Sequence, residues 1–209
     1  ILDGQRRYAH VTGPSHTLPT YWIGNLRLVL DVEVQGGKAS AAKHSLPRLC
    51  QLLERLAPEE RPTLVRGDNA FGNEGVMLEM EAMGQRYLFK LRQTAGVKRL
   101  IERQWQHGEW HGVGQGFDAV DSQLRLSGWS RARRVVVLRR PVKDRLAAET
   151  HSEDPQQTLH FIDSSDQVKL WEYAALVTNA DSALAATGQL YRDRADCENG
   201  FAAWQNHRG

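Results

Sequence analysis

The stretch TLVRGDNAFGNEGVMLEMEAMGQRYLFKLR, residues 63–92, constrains the fold more than any other part of the chain. A short apolar run, Thr63–Val65, leads as a strand into Arg66-Gly67-Asp68. Asn73 is a residue type that caps helices, Val76, Met77, Met80 and Met83 follow at helical spacing, and Gly84 stands where a helix is stopped by glycine. The segment RYLFKLR then resumes strand character. A strand, loop, helix and strand in succession form a crossover, which predicts parallel strands with Asp68 at the carboxyl end of the first. That edge is where open α/β sheets place their chemistry.

The flanks fit around this unit. Residues 1–19 show turn residues and no period, and read as loop. Thr20–Ile23 and Leu26–Val34 are β-rich runs joined by Gly24-Asn25, which predicts a hairpin. Leu46, Leu49, Leu52, Leu53 and Leu56 recur at helical spacing up to Pro58, with Pro47 near the expected start. After a short helix in VKRLIERQWQ, the segments SQLRLSGW, RRVVVLRR, TLHFIDS and EYAALVTN read as strands. The polar stretch Lys143–Gln157 reads as loop, and a last helix is expected from Asp181 or Ser182. A largely β region therefore interrupts an α/β core: residues 1–97, then the insertion 98–166, then the last strand and helix in 167–209.

With 209 residues, 41% hydrophobic and 25% charged, the chain can bury a real core. It has no apolar run long enough for a membrane span and no signal-peptide layout at Ile1, so a cytoplasmic protein is expected. Cys50 and Cys197 form no CxxC pair and read as buried thiols, not a zinc site. Net charge is only +2, but Arg125–Arg145 holds eight Lys or Arg against Asp144 alone. Such a stretch suits either a solvated basic surface or a patch that contacts phosphates, with Trp129 available to stack on a base.

One further segment carries chemistry. In YRDRADCENG, residues 191–200, Tyr191, Arg194 and Glu198 fall on one helical stripe with Gln205. Beside it runs an apolar stripe of Leu190, Cys197, Phe201 and Trp204. Glu198 thus lies at the border of the buried face, where geometry allows either a structural ion pair with Arg194 or metal chelation.

YRDRADCEN resembles the signature of insertion-sequence transposases with a DDE catalytic domain, in which a tyrosine, an arginine, a glutamate and a lysine recur at set spacings. Tyr191, Arg194 and Glu198 match in type and spacing. LVRGDNAFGNEGVMLEMEAMGQRYLFKLR is similar to the segment around that family's second aspartate, and GPSHTLPTYWIGNLRLVLDVEV, VKRLIERQ and LRLSGWSRARRVVVLRR extend the likeness over nearly the whole chain. The resemblance implies an RNase H-like fold: a mixed sheet flanked by helices, with a β-rich insertion before the glutamate-bearing helix. It implies that Asp68 and Glu198 are catalytic metal ligands in a site for two Mg2+ or Mn2+ ions, which suits oxygen donors sharing a shell with phosphate. Tyr191 and Arg194 would position the glutamate helix or a DNA phosphate. Trp129, Arg131, Arg133 and Arg134 would hold the DNA end or a flipped base. The implied partner is double-stranded DNA, as transposon end and as target, bound by a homodimer in a synaptic complex associated with a prokaryotic nucleoid.

Two departures qualify that implication. The family's first aspartate, in an Asp-x-Asp-x-Thr segment before the hairpin, has no counterpart; Asp3, the one acid ahead of the hairpin, is a weak candidate. Asp31 and Glu33 share a strand face and are expected to face solvent. Gln205 replaces the signature lysine and lacks its charge. An excised portion or decayed copy of low activity is therefore one expectation, a DNA-binding remnant or a stand-alone RNase H-like nuclease the alternatives. No GxxxxGK[ST] loop or GxSxG elbow is present. GVGQGF reads as loop, and His107 and His111 are separated by Gly108, which argues against a shared zinc-binding helix.

Overall fold

The structure, a computed structural model, describes residues 2–3, 16–17, 20–23, 28–33, 35–36, 41–142, 158–159 and 170–193. The chain divides into two compact units, Ile1–Lys90 with Arg192–Gly209, and Leu91–Tyr191.

In the first unit, β1 (Leu2–Asp3), β3 (Thr20–Ile23) and β4 (Leu28–Val32) pair antiparallel in that order, and β2 (His16–Thr17) pairs with β5 (Gln35–Gly36). The predicted hairpin is β3–β4, with a register shift between Tyr21 and Trp22. The first helix, α1 (Ala41–Glu54), starts five residues ahead of Leu46 and carries Pro47 in its interior. Ser45, Leu49 and Leu53, four residues apart, are its buried positions among those described. The leucine period located this helix but not its start, because the turn before Pro47 holds no further leucine.

The crossover is formed as its sequence predicts. β6 (Val65–Gly67) and β7 (Tyr87–Lys90) pair parallel, Val65 against Tyr87 and Gly67 against Phe89, and α2 (Glu74–Ala82) joins them. Asn73 accepts from the Val76 N–H at 3.2 Å as the N-cap, and Gly84 takes φ +65° just past the C-cap Met83, a conformation that only glycine adopts without strain. Val76, Met77 and Met80 seal this helix onto a core with Val65, Tyr87 and Phe89, all at most 1% exposed. The strand sits two residues later than the run Thr63–Val65, because backbone pairing, not apolar content, sets its limits.

In the second unit, α3 (Ala95–His107) leads to an antiparallel array of β8 (His111–Gly112), β9 (Asp118–Leu124), β10 (Arg133–Pro141), β11 (Thr158–Leu159) and β12 (Trp171–Thr178). β10 is central, paired with β9 on one side and β12 on the other, and Val135, Val136, Val137 and Leu138 are buried against Ala175, Leu176 and Val177. Both faces of β10 are covered there, which is why VVVL reads as an unbroken apolar run. GVGQGF forms the β8–β9 connection, with Gly114, Gln115 and Gly116 all at positive φ. Residues 184–193 form α4, starting two to three residues after the expected start. The chain is thus α/β with parallel and antiparallel strands and flanking helices, consistent with an RNase H-like fold.

Candidate active site

Asp68 follows the last residue of β6, at the carboxyl end of a parallel strand, and the residues around it explain why it is held there. A Cβ on Gly67 would come within 2.9 Å of both Phe71 Cβ and Phe89 Cδ1, so only glycine lets the chain turn this close to the strand. The turn is tied by Asp68 itself: its Oδ1 accepts from the Ala70 N–H at 2.9 Å, and its carbonyl accepts from the Phe71 N–H at 3.1 Å. Asn73 donates to the Ala70 carbonyl while capping α2, which links the turn to the helix. One carboxylate oxygen is thus consumed by the turn, and the other has no hydrogen-bond or ion-pair partner among the described residues. The residue is half-buried and its free oxygen is a hard donor of the kind that divalent cations prefer.

The other expected site residues divide between described and undescribed positions. Tyr191 lies half-buried on α4, whereas Arg194, Glu198 and Gln205 lie outside the described residues, as do the apolar-stripe members Cys197, Phe201 and Trp204. Asp3 belongs to β1, which pairs with β3 and lies alongside β6. The one acid ahead of the hairpin is therefore on a strand neighbouring the one that leads to Asp68, a placement its terminal position did not suggest. Among the described residues, no group of three or more His, Cys, Asp or Glu could hold a metal ion.

Several other described carboxylates are engaged in pairs. Asp31 and Glu33 are not simply solvent-facing: Arg48 Nε of α1 donates to Asp31 Oδ2 at 2.5 Å, and the Tyr21 hydroxyl lies 2.6 Å from Glu33 Oε2 and 2.9 Å from the Ser45 carbonyl. The guanidinium holds the Asp31 carboxyl below the usual range, and burial with Glu33 beside it pushes the Tyr21 phenol far up.

The basic stretch 125–145 is presented differently from its sequence. Trp129 is 7% exposed and is covered by the Arg133 guanidinium, 5.4 Å from its ring centroid, while Arg133 is itself buried. Trp129 is accordingly not presented for stacking on a base in this state. Arg134 donates to Asp121 from two nitrogens and to the Ala180 carbonyl; Arg140 pairs with Glu172 at 2.6 Å. Arg139 pairs with Asp118 at 3.1 Å and is sandwiched between the rings of Trp110 and Trp171, 4.1 and 4.4 Å from their centroids. Arg131 is the exposed member of the four that the sequence singles out. The missed signal was register: Asp118 faces Arg139 and Glu172 faces Arg140 directly, and Asp121 lies diagonally from Arg134. The tyrosine under this sandwich, Tyr173, is buried and its hydroxyl is pushed up to about 12 by that burial.

His107 ends α3 and His111 lies on β8, so the two share no helix face. Cys50 is a half-buried free thiol. No helix among the described residues is long and apolar enough to cross a membrane. A family model described as the transposase DDE domain matches residues 24–209. No curated protein matches the chain.

Proposed function

Because this chain belongs to the transposase DDE-domain family, we propose that it cleaves and joins DNA strands at transposon ends in a divalent-metal-dependent reaction. The observation that carries the reading is Asp68: a carboxylate fixed by its own turn at the carboxyl end of a parallel strand, with one oxygen left over. Asp68 and Glu198 are the proposed ligands of Mg2+ or Mn2+. Asp3 is the acid best placed to join them, because β1 lies alongside β6. Bound cations would supply activation of a water or a terminal 3′-hydroxyl and stabilisation of the leaving oxygen. Tyr191 and Arg194 would orient the glutamate helix or a phosphate. In the β-rich unit, direct contact with the DNA end falls to Arg131, with Trp129, Arg133 and Arg134 supporting it from their ion-paired or buried positions. A synaptic homodimer completes the reading.

The test is nicking of a labelled duplex in Mg2+ or Mn2+ by the unaltered chain, Asp68→Asn, Glu198→Gln and Asp3→Asn. Activity in the unaltered chain that is lost in all three variants is the expected result. Activity that survives Asp68→Asn would overturn the site, and no nicking by any form with DNA binding retained would leave a binding remnant instead of an enzyme.

A further inference from the structure

We propose that the outer face of α3 is a second DNA contact, a sequence-independent seat for the phosphate backbone; this rests on the reading that the chain acts on DNA. Charge is compensated unevenly among the described residues of this unit. Arg134, Arg139 and Arg140 are each neutralised by a carboxylate on a neighbouring strand. On α3, by contrast, Lys98, Arg99 and Arg103 are exposed and make no ion pair or side-chain hydrogen bond among the described residues, and Arg92, exposed just ahead of the helix, makes none either.

The helix is fixed so that these cations point outward. Val97, Leu100 and Ile101 are at most 2% exposed and hold the opposite face, and a Cβ on Gly96 would meet Leu126 Cδ2 at 2.5 Å, so the first turn sits tightly on the strand connection beside it. At about 100° per residue, Lys98, Glu102, Gln106, Arg99 and Arg103 share an arc of roughly 140°, and Arg99 and Arg103 stand one turn, about 6 Å, apart along the axis. Glu102 is the one acid on that arc, and it pairs with none of the cations among the described residues. The arc therefore keeps a net positive charge.

Its composition selects the partner. Protein interfaces enrich aromatic and large apolar side chains at their centres, and this arc carries none: Lys98, Arg99, Glu102, Arg103 and Gln106 are polar, Ala95 is its one small apolar member, and the half-buried Trp105 lies at its margin. Protein–DNA contacts are polar, wet and positively charged, and phosphate contacts need no apolar core. Long, uncommitted Lys and Arg side chains lose no ion pair when they meet a phosphate. The duplex backbone is the polyanion that fits.

The test measures binding of the 209-residue chain to a duplex of arbitrary sequence by fluorescence anisotropy across salt concentration, for the unaltered protein, Arg99→Ala with Arg103→Ala, and a control with Lys43→Ala on α1 and Arg55→Ala just past its end. Both substitutions on α3 favour helix, and circular dichroism checks that the fold persists. Each lost phosphate contact lowers the slope of log K against log[salt] by about 0.9, so the α3 variant should lose nearly 2 from the slope. Its affinity deficit should consequently shrink about tenfold between 50 and 200 mM salt. The control should keep the slope of the unaltered chain. An unchanged slope in the α3 variant, an equal drop in the control, or equally tight and equally substitution-sensitive binding of polyglutamate would each overturn the proposal. Because the readout is binding without divalent metal, a failed nicking assay leaves it standing, and a failed slope test leaves the nicking reading standing.

Discussion

Asp68 and Asp121 are both aspartates at a strand of the same protein, and they meet different fates. Asp121 lies within antiparallel β9, where Arg134 on the neighbouring strand takes both its oxygens. Asp31, Asp118 and Glu172 are similarly held by Arg48, Arg139 and Arg140. Asp68 lies beyond the end of a parallel strand, where the chain turns into α2; Lys90 ends the neighbouring strand β7, and no ion pair joins it to Asp68 among the described residues. A carboxylate inside an antiparallel ladder has cross-strand neighbours within reach on its own face, and arginine there quenches it. Asp68, at the carboxyl end of a crossover, is held by its own turn, which uses one oxygen and spares the other. Among these strand acids, strand direction thus separates the ion-paired ones from Asp68, which keeps an oxygen to bind with.

Neutralising one acid of each kind separates them. Asp68→Asn should lower metal-dependent nicking by roughly a hundredfold or more, the several kcal/mol that a coordinated cation contributes. Asp121→Asn should leave nicking near that of the unaltered chain; equal losses would show that the distinction is false. Next in size is Gly67→Ala, which forces a methyl to within 2.9 Å of Phe71 and Phe89. It should destabilise the fold by about 1–3 kcal/mol in urea unfolding, as overpacking does, and an unchanged midpoint would mean that the turn is not packed this tightly. Smaller still, Asp68→Ala should cost about 1 kcal/mol more than Asp68→Asn, because asparagine keeps the acceptor for the Ala70 N–H and alanine does not.

The smallest effect concerns pH. The folded pKa of Asp31 is lowered, with Arg48 as its largest cause. A depressed carboxylate contributes stability above its unfolded pKa of about 3.9 and loses it as pH falls through the folded value. Asp31→Asn should therefore be less stable than the unaltered chain near pH 6, by under about 1 kcal/mol for so exposed a pair, and the gap should close below about pH 4. A gap that widens in acid would mean that Arg48 is not the partner that matters.

The β6–α2–β7 crossover was legible because each of its signals is local: a capping asparagine, a helical period, a terminal glycine and a resumed apolar run. The hairpin β3–β4 was legible for the same reason. Placement of Asp68 followed, since a crossover fixes which end of a strand its last residue occupies. The arginine partners were not legible, because Asp118, Asp121 and Glu172 meet Arg139, Arg134 and Arg140 only through a register set by pairing over whole strands. A stretch with eight basic residues looked like an open patch for that reason, while α3, with fewer cations, holds uncompensated ones among the described residues. The start of α1 was hidden by Pro47, which read as a beginning and lies mid-helix.

Whether the spare oxygen of Asp68 takes a divalent cation is read by Mn2+ titration followed by paramagnetic broadening of backbone amide resonances. Broadening should appear first at Asn69, Ala70 and Phe71 and vanish in Asp68→Asn, which keeps the turn but not the charge. Broadening that persists in Asp68→Asn, or that centres on Asp118 and Asp121 instead, would contradict the account.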